Sequence, residues 1–301
     1  MTEKIMKAAQ VLAIDIGGTA AKYAVVSPAG EISASGSFGT VGLPNFDAFL
    51  QELYAVVQAA YAQGITKVGI SSPGVYDAQG NCIGNVENLP YLSAQNIPQA
   101  VQARFAGVQC KIGNDGVGAA MGEYHFGAAK GCPSFICITL GTGIGGAYVL
   151  DGKPHLGYHG QSCEVGYFNY QSQADYYEKK YSTKGILRFL ASKLQQPLIS
   201  GRVFTQKVQE GAPIYTETYE EWVDAIGQLI ANMALVIDPA MVVVGGGISR
   251  EKALLKPALE AALARHLPPA FQHKITLEMA RCGNDAGLLG AATFYLDVPE
   301  C

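Results

Sequence analysis

At 301 residues, 49% of them apolar and only 15% charged, the chain is long enough for one large or two ordinary domains and too apolar to be a disordered polymer. A formal net charge of -4 leaves no basic footprint for nucleic acid or for an acidic membrane surface, so neither is an expected partner. The start, MTEKIMKAAQ, lacks the apolar core of a secretory leader; the late apolar run MALVIDPAMVVVGGG is broken by Asp238 and Pro239; and seven scattered cysteines form no CxxC or CxC pair, which together point to a cytoplasmic, enzyme-sized protein with reduced thiols.

In chain order, VLAIDIGGTAAKYAVVSPAGEI reads as strand, glycine turn, strand, turn, because VLAIDI and KYAVV have the β-branched and apolar content of buried strands. FDAFLQELYAVVQAAYAQG has helical spacing and a glycine stop, and TKVGISSP then reads as a strand. The alternation continues through the strand VQCKI and the helix-like GVGAAMGEYHFGAAKG. FICITLGTGIGGAYVLDGKPH repeats the opening plan of strand, glycine turn, strand and turn, which suggests a duplicated domain. Helical patterns follow in STKGILRFLASKL and YEEWVDAIGQLIANMALVID. The strand MVVVGG, the helix REKALLKPALEAALARHL and the short apolar helix AGLLGAATFYL close the chain, the last able to dock back on the first domain. The expected class is α/β, with a small N-terminal domain over 1–120, joined by a C-terminal helix near 286–301, and a larger domain over 121–285.

Glycine, with 36 copies, exceeds the roughly 7% norm and is clustered where phosphate could bind. Gly141, Gly143 and Gly146 match GxGxxG, but a second strand follows where a dinucleotide fold needs a helix. DIGGTAAK has the same strand-to-strand context and lacks the GK[ST] of a P-loop. Such turns are either plain hairpins or nests of backbone N–H groups for phosphate oxygens, and the repeated plan favours the second. VVVGGGISR runs from a strand through three glycines into a helix. It is either a crowded corner or a surface for a flat nucleoside.

In this order DIGGTAAK, GISSPGV, GNDGVGAAMGE, LGTGIGGAYVLDGK, GQSCEVGY and VVVGGGISR resemble the ROK family of sugar kinases and sugar-responsive repressors, over about Val11 to Leu296. The resemblance implies two actin-like, ribonuclease H-like domains around an interdomain active-site cleft, with ATP and Mg²⁺ as cofactors and a homodimer as the usual assembly. It implies Asp115 as the general base, a position where aspartate also suits a helix N-cap. A helix N-terminus is expected to keep that carboxylate ionised and weakly basic. Gly17, Gly18 and Thr19, and Gly141, Thr142 and Gly143, would hold the ATP phosphates, and Gly245, Gly246 and Gly247 would line the nucleoside. Asp15 would face Mg²⁺ through water. Lys22 either neutralises phosphate or is a solvated strand residue. Gly74, Asn88, Asn114, Asp115, Glu164, Tyr167 and Glu178 would surround the sugar.

Two positions depart from the family pattern. Gly116-Val117 stand where Ala-Asn usually follows the base, and Tyr167 stands where a zinc-binding histidine is usual. The run after it, FNYQSQADYY, holds no cysteine, so no structural zinc site is expected. The tyrosine resembles the β-glucoside kinase branch, which phosphorylates the 6-hydroxyl of the non-reducing glucose of cellobiose-like sugars, and tyrosine rings suit stacking on a second sugar unit. N-acylmannosamine kinase and glucokinase are the alternatives among enzymes, and a non-catalytic sugar sensor is the alternative of another class. A repressor is disfavoured, because only 14 residues precede Asp15.

Overall fold

The computed structural model describes residues 10–272 and 274–295; the final residues of the expected C-terminal helix and of the family resemblance, 296–301, lie outside them. Among the described residues, those up to Phe126, with Gly157–Gln161 and those from Asp285 onward, form one compact unit. Gly127–Leu156 and Ser162–Asn284 form another.

The first unit is built on a five-stranded sheet in the order β3-β2-β1-β4-β5. Its strands are β1 (Val11–Ile16), β2 (Ala20–Val26), β3 (Ile32–Gly39), β4 (Lys67–Ser72) and β5 (Gln109–Asn114). β1 pairs antiparallel with β2 and parallel with β4, so DIGGT is a hairpin turn at the end of a buried central strand. The even positions of β1, Leu12, Ile14 and Ile16, join one core with Phe49, Leu53 and Val57 of helix α1 (Phe46–Tyr61). Asn45 caps α1 by accepting the N–H of Ala48 at 2.9 Å. Helix α2 (Ile97–Arg104) precedes β5, and α3 (Asp115–Phe126) follows it directly.

The last helix, α9 (Ala286–Thr293), belongs to this unit, packed on β1, β4 and α3. The approach is close enough to require glycine: a Cβ on Gly290 would lie 1.7 Å from the Gly118 carbonyl oxygen, and one on Gly69 would lie 2.0 Å from that of Ala291. The small residues of GVGAAMGE and AGLLGAA therefore serve a helix–helix contact as well as any ligand.

The second unit repeats the plan. Its sheet, β10-β9-β6-β7-β8, read from the other edge has the first sheet's order. The strands are β6 (Phe135–Leu140), β7 (Ile144–Leu150), β8 (Lys153–Pro154), β9 (Met241–Gly245) and β10 (Thr276–Met279). β6 pairs antiparallel with β7 and parallel with β9, so LGTG occupies the place of DIGG. Asp151 and Gly152, at φ 52° and 71°, make the expected turn into β8. The helices are α4 (Tyr177–Tyr181), α5 (Thr183–Leu194), α6 (Gly201–Gln209), α7 (Pro213–Ile237) and α8 (Lys252–His266). The core joins Ile136, Ile138 and Leu140 to Trp222, Ile226 and Ile230 of α7.

Two boundaries differ from the sequence reading, and one helix is added. α7 starts at Pro213, because proline at a first helical position needs no N–H partner. The segment after β9 is a 3₁₀ turn, Gly247–Arg250, and only then α8. α6 is an additional helix, capped by Ser200, that a polar composition conceals.

Candidate active site

Asp115 is the first residue of α3, and its neighbour performs the capping. The Oδ1 of Asn114 accepts the N–H of Gly116 at 2.8 Å and of Val117 at 3.2 Å. The Asn114 amide nitrogen donates to the Gly74 carbonyl at 3.1 Å, tying the GISSPGV loop to the head of α3. Asn114 is thus both helix cap and loop brace, with one amide hydrogen left for a ligand.

The Asp115 carboxylate accepts the backbone N–H of Gly116 at 2.9 Å. The residue is exposed by surface area, yet the protein around it desolvates the carboxyl and pushes its pKa above the ordinary carboxylate range. The Gly116 hydrogen bond acts the other way and is the weaker influence. Desolvation thus opposes the ionised form that the helix N-terminus favours.

Asp15 lies on the opposite face of β1 from Leu12, Ile14 and Ile16, against Gly287 of α9. Its pKa is raised from 3.8 to about 6, first by burial and then by the charges of Asp115 and, least, Asp285. Lys22, directly opposite on β2, and the Ser71 hydroxyl on β4 favour the ionised form. Ser71 Oγ is fully buried and has no well-formed hydrogen bond. Carboxylates crowded together, with an under-bonded hydroxyl beside them, fit a divalent cation. Among the described residues no three His, Cys, Asp or Glu side chains are gathered closely enough to enclose one.

The first glycine turn is braced from a distance in sequence. Gly17 N–H donates to Ala20 C=O at 3.0 Å, while its carbonyl accepts the hydroxyl of the fully buried Thr40 at 2.8 Å. Tyr91 in turn donates its hydroxyl to Thr40 C=O at 2.9 Å. Asn88 stands against Gly18, 3.7 Å from where that glycine would carry a Cβ, and it borders a recess of about 770 Å³ that Tyr91 also lines. Gly74, at φ 115°, sits in the loop after β4, where the Tyr76 hydroxyl bonds Ser72 Oγ and Pro73 C=O.

In the second unit, Gly141 N–H is occupied by Gly143 C=O at 2.9 Å, leaving Thr142 and Gly143 as the donors of the turn with open N–H groups. Gly141 and Thr142 border a recess of about 740 Å³, together with Gly247, Ile248, Lys184 and Arg202. The three glycines after β9 divide their roles. Gly245 ends the strand, buried; Gly246, at φ 97°, would place a Cβ 2.1 Å from Leu140 C=O; Gly247 faces the recess.

Glu164 opens the 3₁₀ turn Val165–Tyr167 and is exposed. Glu178, in α4, lies over Gly143 and accepts the Ile144 N–H with Oε2 at 2.9 Å. The Tyr167 ring stacks on that of buried Tyr176, with centroids 5.0 Å apart and planes 17° from parallel, and Tyr170 leans on both. Between the 3₁₀ turn Val165–Tyr167 and α4 the chain is largely irregular, with this aromatic trio at its centre. Thr40, Lys184 and Arg202 belong to none of the motifs, and nothing in their local sequence marks them; Ser71 lies within GISSPGV, but nothing there marks it out.

The ROK family profile matches residues 11–298 of the chain. The chain is 27% identical to the glucokinase of Streptomyces coelicolor, with 93% of this chain and 96% of the relative covered. It is also 27% identical to the β-glucoside kinase of Listeria monocytogenes, with 95% and 97% covered. The crystal structure of a ROK family glucokinase from Streptomyces griseus, in complex with glucose and AMPPNP, superimposes with a TM-score of 0.81 at 26% identity, covering 95% of this chain and 98% of that one. Two sheets of one topology, each with a glycine hairpin at its centre, and a match over nearly the whole length lead to one conclusion: the chain is a member of the ROK family with the fold of its sugar kinases.

Proposed function

We propose that the protein transfers the γ-phosphate of ATP to the 6-hydroxyl of a β-glucoside such as cellobiose, or of glucose, with Asp115 as general base. The observation that carries this reading is the carboxylate of Asp115. Asn114 caps the helix in its place, desolvation raises its pKa, and it follows β5, which pairs with β4, the strand that in turn pairs with the Asp15 strand β1. A base with a raised pKa accepts a hydroxyl proton better at neutral pH than an ordinary carboxylate does. Phosphoryl transfer otherwise demands chiefly positioning and charge neutralisation.

In this reading Asn114 and Asn88 bind hydroxyls of the reacting ring, with the Gly74 loop, Glu164 and Glu178. Thr142 and Gly143 hold donor phosphates, assisted by Gly17, Gly18 and Thr19, and the Gly245–Gly247 segment lines the nucleoside. Asp15 and Ser71 would hold hydrated Mg²⁺, which neutralises phosphate oxygens when bound. Tyr167, presented on Tyr176, offers an aromatic edge to a second sugar unit, which favours a glucoside over a monosaccharide. The enzyme is read as a cytoplasmic homodimer.

A coupled ADP-release assay over cellobiose, gentiobiose, glucose and N-acetylmannosamine tests the reading. Turnover of the disaccharides at an efficiency above that of the monosaccharides supports a β-glucoside kinase. Turnover of glucose or N-acetylmannosamine alone replaces it with glucokinase or N-acylmannosamine kinase. Sugar binding without turnover of any of them makes the protein a sensor.

A further inference from the structure

Two lysines stand beside the two glycine turns, and their surroundings differ. Lys22 lies directly across the hairpin from Asp15 and favours the charged form of that carboxylate. Lys184, in the first turn of α5, is partly buried and forms no ion pair or side-chain hydrogen bond with any described residue. Its backbone N–H reaches the Gly141 carbonyl at 3.4 Å, which fixes the residue beside the LGTG turn, and its side chain lines the recess that Gly141 and Thr142 border. Arg202 and Arg250 face the same recess, and neither forms an ion pair with a described residue; Glu251 is the single carboxylate among the lining residues. The remaining wall includes Leu187, Leu198 and Ile248.

This division of a concave site into an apolar wall and a cationic margin suits a ligand with a flat apolar body and an anionic chain. A cation that forms no ion pair with the described residues is available to an anion entering the recess. Lysine, a compact charge on a flexible stem, meets phosphate as a point charge.

We propose that Lys184 is a donor-phosphate ligand: its ammonium binds the phosphate chain of the nucleotide seated on the Gly141–Thr142 turn, and it sets the preference for di- and triphosphates over the monophosphate. The proposal rests on the kinase reading and adds a specificity-determining residue that lies outside the glycine motifs.

The test measures ADP, AMP and adenosine binding to the full chain by isothermal titration calorimetry, for wild type, Lys184→Met and Lys184→Arg. A charge-assisted hydrogen bond to phosphate predicts that Lys184→Met weakens ADP by about tenfold or more while adenosine changes by less than about threefold. Lys184→Arg should recover most of the loss, and the sugar affinity of both variants should match wild type. If wild type binds ADP and Lys184→Met binds it equally well, the assignment of Lys184 is wrong and the kinase reading stands. An equal loss of ADP and adenosine affinity also overturns it, since the recess itself would then be altered. Failure of the wild type to bind ADP or ATP at all would overturn the kinase reading together with the inference.

Discussion

Glu178 and Ile144 join two motifs that lie far apart in the chain: Oε2 of Glu178 accepts the Ile144 N–H at 2.9 Å, immediately after the LGTG turn. A residue read as a sugar ligand is thereby also a brace of the phosphate turn. Glu178→Ala should leave that N–H unsatisfied and lower stability by about 1–3 kcal/mol in urea denaturation. Glu178→Gln keeps an acceptor oxygen, so its stability should stay within about 1 kcal/mol of wild type while sugar affinity falls. Equal stability losses in the two variants would contradict the bracing role.

The Thr40 hydroxyl performs the corresponding service for the first turn, at 2.8 Å from the Gly17 carbonyl. Thr40→Val preserves shape and removes the donor, with an expected loss of about 1–3 kcal/mol and an increase in the KM for ATP. Thr40→Ser should restore the KM. An unchanged KM in Thr40→Val would show that the turn holds its shape without this bond.

Gly290 and Gly118 bring α9 and α3 into backbone contact. Gly290→Ala would force a methyl to within 1.7 Å of a carbonyl oxygen, so the helices must separate. We expect a loss of more than about 3 kcal/mol, read as a lowered midpoint in denaturant. A loss under about 1 kcal/mol would contradict the packing.

The fold was legible in the sequence because its two glycine hairpins follow strands apolar on both faces, and because α1 shows five buried positions at helical spacing. The candidate site was legible where a motif carries it: Asn114 caps α3 beside Asp115, and the charges of Asp15 and Asp115 act on one another. What stayed hidden depends on tertiary position. Thr40 reaches the Gly17 carbonyl across 23 residues, and Lys184 is an ordinary surface-type residue until the fold places it beside Gly141. The helix–helix role of Gly118 was masked by its place in a motif read for its chemistry. At Asp115 a sequence shows the helix N-terminus and not the desolvation that opposes it.

Asp15 makes stability depend on pH in a defined direction. Its folded pKa, about 6, lies above the unfolded 3.8, so ionisation opposes folding above pH 6 and the penalty is relieved as pH falls from 6 toward 4. Two units correspond to at most about 3 kcal/mol, less after the partial exposure of the residue. In metal-free buffer at pH 7, Asp15→Asn should be more stable than wild type by about 1–3 kcal/mol, with a flatter profile between pH 4 and 6. A less stable variant at pH 7 would contradict the burial of an unfavourable charge.

The central claim is that Asp115 takes the proton from the sugar hydroxyl, and ADP release by Asp115→Asn measured beside sugar binding tests it most directly. The account predicts turnover reduced by at least about a hundredfold, the lower range of general-base contributions, with sugar affinity within about threefold of wild type. Turnover at the wild-type rate with sugar affinity retained would contradict it.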